Sequence, residues 1–180
     1  MQKDEVQKIL DRFRDHVISQ AKRNLTNSSK NASKSLYNSL KGEVKAFPNS
    51  IGMYFEMLEY GNYQDKGVKG ANPSRVKNGI QKAPNSPFKF KASKTSIPTK
   101  VLDKWIVGKG IAPRNEAGQF TSRKNLKFLI ARSIHAQGIK PSLFFTKPFE
   151  AAYKNLGEDL IDAYGLEATK LFNDIIKQPK

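Results

Sequence analysis

The side chains best able to do chemistry in this sequence are few. There are two histidines, His16 and His135, and no cysteine, and Glu56 and Glu59 close an aromatic run. Paired carboxylates divide acid and base roles when their surroundings push their proton affinities apart. A histidine moves protons near neutrality. Neither chemistry is completed here. His16 falls at the edge of an apolar helical stripe and His135 near a helix end, which are places for boundary residues. In a strand of this kind, one of the two glutamates faces solvent or a partner chain. None of the spacings HExxH, GxSxG, GxGxxG or GxxxxGK[ST] occurs, and no cluster has metal-ligand spacing. Zero cysteine excludes a disulfide framework, thiol catalysis and thiolate zinc sites. The expectation is a protein that is not an enzyme and uses no cofactor or metal.

Binding chemistry is better represented. The 180 residues carry 32 Lys and Arg against 16 Asp and Glu, a net +16. Residues 1–65 hold ten basic and eight acidic side chains; 148–180 hold four and six. Between them, 66–147 hold eighteen basic residues and two acids, Asp103 and Glu116. A block of this kind attracts phosphate, an anionic membrane surface or an acidic protein face; the plain alternative is a solvated surface. Within it, Lys66, Lys69, Arg75, Lys77 and Lys82 precede Phe88-Lys89-Phe90-Lys91. Aromatics interleaved with cations stack bases and hold phosphates. The same pattern suits an edge strand with Phe inward and Lys outward. Arg123, Lys124, Lys127 and Arg132 suit phosphate contact without base reading, and no helix-turn-helix or ribonucleoprotein signature accompanies them.

These residues need elements to position them. Val6, Ile9, Leu10, Phe13, Val17 and Ala21 recur at spacings of three and four, which predicts an amphipathic helix over 4–25. A polar break follows at 26–34, then a short helix from Ser33 to Leu40 that ends at Gly42. Glu43–Phe47 and Ile51–Tyr60 read as a hairpin joined through Pro48-Asn49-Ser50. Residues 61–98, rich in Gly, Pro and Lys, predict a long loop without regular structure. Lys100–Val107 predicts a helix with Val101, Leu102, Trp105 and Ile106 inward; Trp105 reads first as a core residue on that stripe, with an interface anchor beside Phe88 and Phe90 as the alternative. Residues 111–121 form another loop. Ser122 is the N-cap of a helix that buries Leu126, Leu129, Ile130, Ser133 and Ile134 and closes at Gly138. Ile139–Phe145 reads as a short strand interrupted at Pro141. The last helix starts at Thr146 and Pro148. It carries Phe149, Ala152, Tyr153, Leu156, Leu160 and Tyr164 on one face, bends near Gly165, and continues with Leu171, Phe172, Ile175 and Ile176. No apolar run approaches the roughly 18 residues of a membrane span. The first residues lack the apolar segment of a signal peptide. Both point to a soluble protein used inside a cell or packed into an assembly there.

Four stretches in this order, 35–61, 101–111, 128–145 and the helix from Pro148, together resemble the tail-completion and minor tail (neck) proteins of tailed bacteriophages. Tyr54-Phe55-Glu56-Met57-Leu58-Glu59-Tyr60-Gly61 resembles their aromatic strand end, and Ser35-Leu36-Tyr37-Asn38-Ser39-Leu40 the segment before it. Val101-Leu102-Asp103-Lys104-Trp105-Ile106-Val107-Gly108-Lys109-Gly110-Ile111 resembles their helix with Trp-Ile and Lys-Gly-Ile. Phe128-Leu129-Ile130-Ala131-Arg132-Ser133-Ile134, then Gly138-Ile139-Lys140-Pro141 and Phe144-Phe145, resembles a further element, and the helix from Pro148 also fits. The likeness spans roughly 33–164. It implies an α+β fold: a small, mostly antiparallel sheet packed by amphipathic helices, here with a long basic loop insertion.

The expected organisation is one domain over 1–180, with an N-terminal helix and polar break at 1–32, the basic insertion at 61–98 and a helical segment at 148–180. The resemblance further implies a virion structural protein, assembled in the host cytoplasm. It would form a homo-oligomeric ring at the head–tail junction or the end of the tail tube. Such a ring would join adjacent connector and tail proteins and pass genomic DNA without sequence-specific contact, away from any membrane. A ring requires a head-to-tail contact whose rotation closes. The basic loop (Lys66, Lys69, Arg75, Lys77, Lys82, Phe88, Lys89, Phe90 and Lys91) is the candidate for one side of it. Glu158, Asp159 and Asp162 are the candidates for the other, on a neighbouring copy or neck protein. The alternative reading is a monomeric, sequence-nonspecific nucleic-acid-binding protein.

Overall fold

The computed structural model describes residues 2–28, 34–48, 50–72, 80–92 and 97–176. The chain divides into two compact units, Met1–Gly61 with Leu143–Lys180, and Asn62–Ser142. Both contain helices and a two-stranded antiparallel sheet, so the fold class is α+β as expected.

In the first unit, helix α1 spans Gln2–Asn27. Its apolar stripe is buried as the periodicity demands: Val6, Ile9, Leu10, Phe13, Val17 and Ala21, extended one turn by Leu25. Strands β1 (Lys41–Ala46) and β2 (Ile51–Glu56) pair antiparallel, with Ala46 opposite Ile51 and Lys41 opposite Glu56. The connection at 47–50 is closed by the Phe47 amide donating to the Ser50 carbonyl (2.7 Å). Alternation along β2 turns Ile51, Met53 and Phe55 toward α1 and leaves Tyr54 and Glu56 exposed.

Helix α6 (Thr146–Ile176) covers the same core through Phe149, Ala152, Leu156, Leu160 and Ala163. Phe13, Phe55, Phe145 and Phe149 meet edge-on or stacked, with centroids 5.3 Å apart for Phe55 and Phe145 and 5.6 Å for Phe13 and Phe149. Edge-to-face contacts of this kind add to the burial that holds helix to sheet. Ala21, Leu25, Leu36, Leu40 and Phe144 form a second cluster, and Asn24 Nδ2 donates to the Phe144 carbonyl (3.2 Å).

Several expectations change here. The short helix α2 covers only Ser35–Ser39, and Leu40 is already extended. Gly42 does not end a helix; it lies in β1. A Cβ there would fall 2.6 Å from Arg14 Cγ and 2.9 Å from Ile18 Cδ1, so its bare backbone lets the strand lie close against α1. The strand expected to Tyr60 stops at Glu56, because β1 begins at Lys41 and offers no partner beyond it. The Leu58 amide turns instead to Ser39 Oγ (3.2 Å), and Tyr60–Lys66 coils into helix α3. α6 runs as one helix through Gly165. Tyr153, expected inward, is exposed and stacks on Phe149 (5.8 Å). The side chains of Tyr164 and of 166–176 lie outside the described ones.

The second unit opens on a segment that was expected to be irregular. β3 (Val68–Lys69) pairs antiparallel with β4 (Gly138–Ile139), which replaces the longer strand expected at 139–145. Phe88 and Phe90 bond the other edge of Lys69: its amide donates to the Phe88 carbonyl (2.8 Å), and the Phe90 amide donates to its carbonyl (3.0 Å). Gln81 acts as a surrogate strand through its side chain. Its Oε1 accepts from the Gly70 amide (2.6 Å), and its Nε2 donates to the Gly70 carbonyl (3.3 Å). Buried Ser86 donates to the Gly67 carbonyl (2.7 Å) and accepts from the Phe88 amide (3.1 Å). These bonds satisfy backbone groups that a long polar segment would otherwise leave to solvent.

Helix α4 (Lys100–Gly108) packs Leu102 and Ile106 on Ala131 of helix α5 (Arg123–Gln137), with Leu126, Ile130 and Ile134 alongside. Ser122 caps α5 as expected, its Oγ accepting from the Lys124 amide (3.2 Å). Gly138 ends α5 with φ 89° and ψ −175°, a conformation close to glycine-only. Between the helices, residues 111–121 turn back on themselves, Arg114 bridging to Phe120. Asn115 Oδ1 holds the Gln119 amide (2.8 Å) inside that turn.

Candidate interaction surface

The unit Asn62–Ser142 carries 17 Lys and Arg against three acids, Asp65, Asp103 and Glu116; the remainder carries 15 against 13. Nearly all the net charge therefore sits on one compact body. Of its acids, Asp65 is buried, and Asp103 is held by Lys127 (2.8 Å). Few carboxylates of this unit are therefore left to neutralise its cations.

The sequence-derived basic residues that are described fall partly in regular elements. Lys66 ends α3, Lys69 is half-buried in β3, and Lys82, Lys89 and Lys91 are exposed around it. Arg75 and Lys77 lie outside the described residues. Phe88 and Phe90 point into the unit. The Phe88 ring meets Tyr63 edge-on (4.7 Å), and the Phe90 ring lies against His135 (5.5 Å). The alternating segment thus adopts the edge-strand arrangement, Phe inward and Lys outward, and its rings are engaged in packing. His135 is fixed by a contact from its Nε2 to the Lys91 carbonyl (3.0 Å). Glu158, Asp159 and Asp162 project from α6 in the other unit, exposed and without an ion pair among the described residues.

His16, Glu56 and Glu59 are exposed on α1, β2 and the turn after it. Among the described residues, no group of three or more His, Asp or Glu is placed to hold a metal ion.

Sequence reasoning missed an apolar surface on the basic unit. Trp105, expected in the core, is 45% exposed, and Leu129, also expected inward, is 59% exposed beside exposed Phe128. The signal was the run Phe128-Leu129-Ile130-Ala131. Four consecutive apolar residues span most of a helix's circumference, so a helix packed on one side must leave some of them outside. A groove of about 540 Å³ opens between the end of α4 and the 111–121 turn, lined by Val107, Ile111, Pro113, Phe120 and Arg123. Phe120 is 70% exposed, and the Arg114 guanidinium lies over its ring at 4.2 Å. Its Nη1 donates to the Gly118 carbonyl (2.8 Å), and the remaining donors of the stacked guanidinium suit a carboxylate beside an apolar contact.

Comparison with known proteins finds no matching family profile, curated protein or solved structure. The likeness to phage tail-completion proteins therefore rests on the sequence motifs quoted above. The described surface offers cations beside an apolar groove on one unit and exposed carboxylates on the other. Among the described residues, no helix is long and apolar enough to cross a membrane.

Proposed function

We propose that this chain is a non-enzymatic assembly protein of a tailed bacteriophage virion. It forms a homo-oligomeric ring at the head–tail junction or tail-tube end, between connector and tail proteins. The observation that carries the reading is the segregation of charge between two compact units, 17 basic to three acidic in one and near balance in the other. A closed ring needs two different, complementary surfaces on each copy. A basic, partly apolar body and an acidic helix face supply such a pair. Opposed potentials set orientation and association rate, while buried apolar anchors supply affinity. Genomic DNA passes through the ring without sequence-specific contact. A bore lined by the basic unit would hold DNA by releasing its counterions, so the basic unit faces protein.

Electron microscopy of tailed particles carrying this chain tests the proposal. The expected result is a cyclic layer of the chain at the neck or tube end; particles without such a layer overturn it. The charge of the basic unit also favours a second reading, a monomeric nucleic-acid-binding protein. Native mass spectrometry and DNA titration separate the two. A stable monomer whose DNA affinity falls steeply with salt supports the second reading, and a discrete high-order oligomer supports the first.

A further inference from the structure

The proposed ring leaves open which parts of each copy meet, and the two units point to one contact. The groove beside α4 has apolar walls, Val107, Ile111 and Phe120, and a cationic rim, Arg114 and Arg123. Single exposed apolar residues need no explanation, but an apolar groove rimmed by one sign of charge is the form of a docking site. Its occupant should be an apolar side chain flanked by carboxylates.

The outward face of α6 has that composition. Ile161 is 71% exposed, the most exposed large apolar side chain among those described. Helical spacing sets Glu158 one turn before it, and Asp162 four residues after Glu158 on the same side. All three lie away from the buried stripe of Leu156, Leu160 and Ala163. Neither carboxylate is ion-paired among the described residues, so both can be recruited without first breaking a bond.

We propose that the groove receives α6 of a second copy, with Ile161 seated between Val107 and Phe120 while Glu158 and Asp162 meet Arg114 and Arg123. This assignment rests on the ring reading, which it deepens by naming the contact. Groove and helix face are different patches, one on each unit of the chain, so a contact between them is heterologous. Each copy receives one neighbour and enters another, and the chain of contacts closes or propagates according to its rotation. Salt bridges at the rim set orientation, and the seated isoleucine excludes water at the centre.

The absence of cysteine makes the test direct. Ile161→Cys and Val107→Cys each introduce a sole thiol at an exposed position, so neither disturbs the core. The two purified variants are mixed at high concentration and oxidised. The expected product is a covalent dimer formed in the mixture in large excess over either variant alone. Dimers formed equally by Ile161→Cys alone mean a symmetric contact and overturn the proposal. So does a mixture that yields no cross-link. The double variant, oxidised at high dilution, supplies a further check: a monomeric species of altered migration means closure within one copy, which also overturns it.

Charge reversal provides a second readout. Glu158→Lys with Asp162→Lys should lower the yield about tenfold at low salt, and Arg114→Glu with Arg123→Glu in the partner should restore it. A yield indifferent to both exchanges overturns the rim assignment. A ring in particles without this cross-link defeats the contact and leaves the function standing. The cross-link without a ring in particles does the reverse.

Discussion

Replacing Gly138 with alanine should damage the basic unit far more than its single methyl group suggests. At φ 89° and ψ −175°, the backbone occupies a region nearly closed to residues with a Cβ, which costs about 1–3 kcal/mol. The added atom would also lie inside contact distance of the Val68 carbonyl oxygen and 2.7 Å from the Gly70 nitrogen. Both neighbours are backbone, and neither can swing aside as a side chain would. Relief requires β4 to draw away from β3, where Gly138 pairs with Lys69. Each hydrogen bond lost there costs about 1 kcal/mol. Together these terms make about 3–5 kcal/mol, a large part of the roughly 5–15 kcal/mol that keeps a domain folded.

At about 2–4 °C per kcal/mol for a chain of this length, the melting temperature should fall by roughly 6–20 °C. Calorimetry or circular dichroism measures it, and hydrogen exchange should place the loss of protection in α5 and the β3–β4 pair. Gly157→Ala is the matched control. Gly157 sits inside α6 without positive φ, and a Cβ there meets nothing within 4 Å. That change should stabilise by about 0.5–1 kcal/mol through helix propensity and the unfolded chain's lost freedom. A Gly138→Ala protein melting within about 2 °C of the parent would refute the reasoning.

Urea unfolding should separate two neighbours on α4. Ile106→Ala, fully buried against α5, should cost about 2–5 kcal/mol, and Trp105→Ala about 1 kcal/mol or less. Leu25→Ala should also cost about 2–5 kcal/mol, since the residue is wholly enclosed with Leu36, Leu40 and Phe144. Ser122→Ala removes the side-chain cap of α5 and should cost about 1 kcal/mol, with Ser122→Asp retaining most of it. Trp105 is the sole tryptophan, so its fluorescence should be quenched readily by acrylamide in the free protein, and an unquenchable signal would contradict its exposure.

Much of this was legible in the residue pattern. The stripe from Val6 to Ala21 placed α1, because apolar side chains at a 3.6-residue period have one way to leave water. Ser122 and Gly138 bracketed α5 through capping chemistry, which is local. Composition alone located the positive charge. The stitching of 67–70 to 81–90 was not legible, because its bonds join a glutamine, a serine and distant backbone atoms whose proximity no local spacing encodes.

Local chemistry, then, determined where helices and turns form and which stretch is basic. Tertiary structure decided which apolar residues stay outside. Trp105 and Leu129 carry the same apolar signal as Ile106 and Ile130, yet α4 and α5 each bury only the side turned toward the other. The groove with Phe120 and Arg114, and the exposed Ile161 among carboxylates, follow from that choice of faces, since burial depends on where a partner element lies and not on the residue itself.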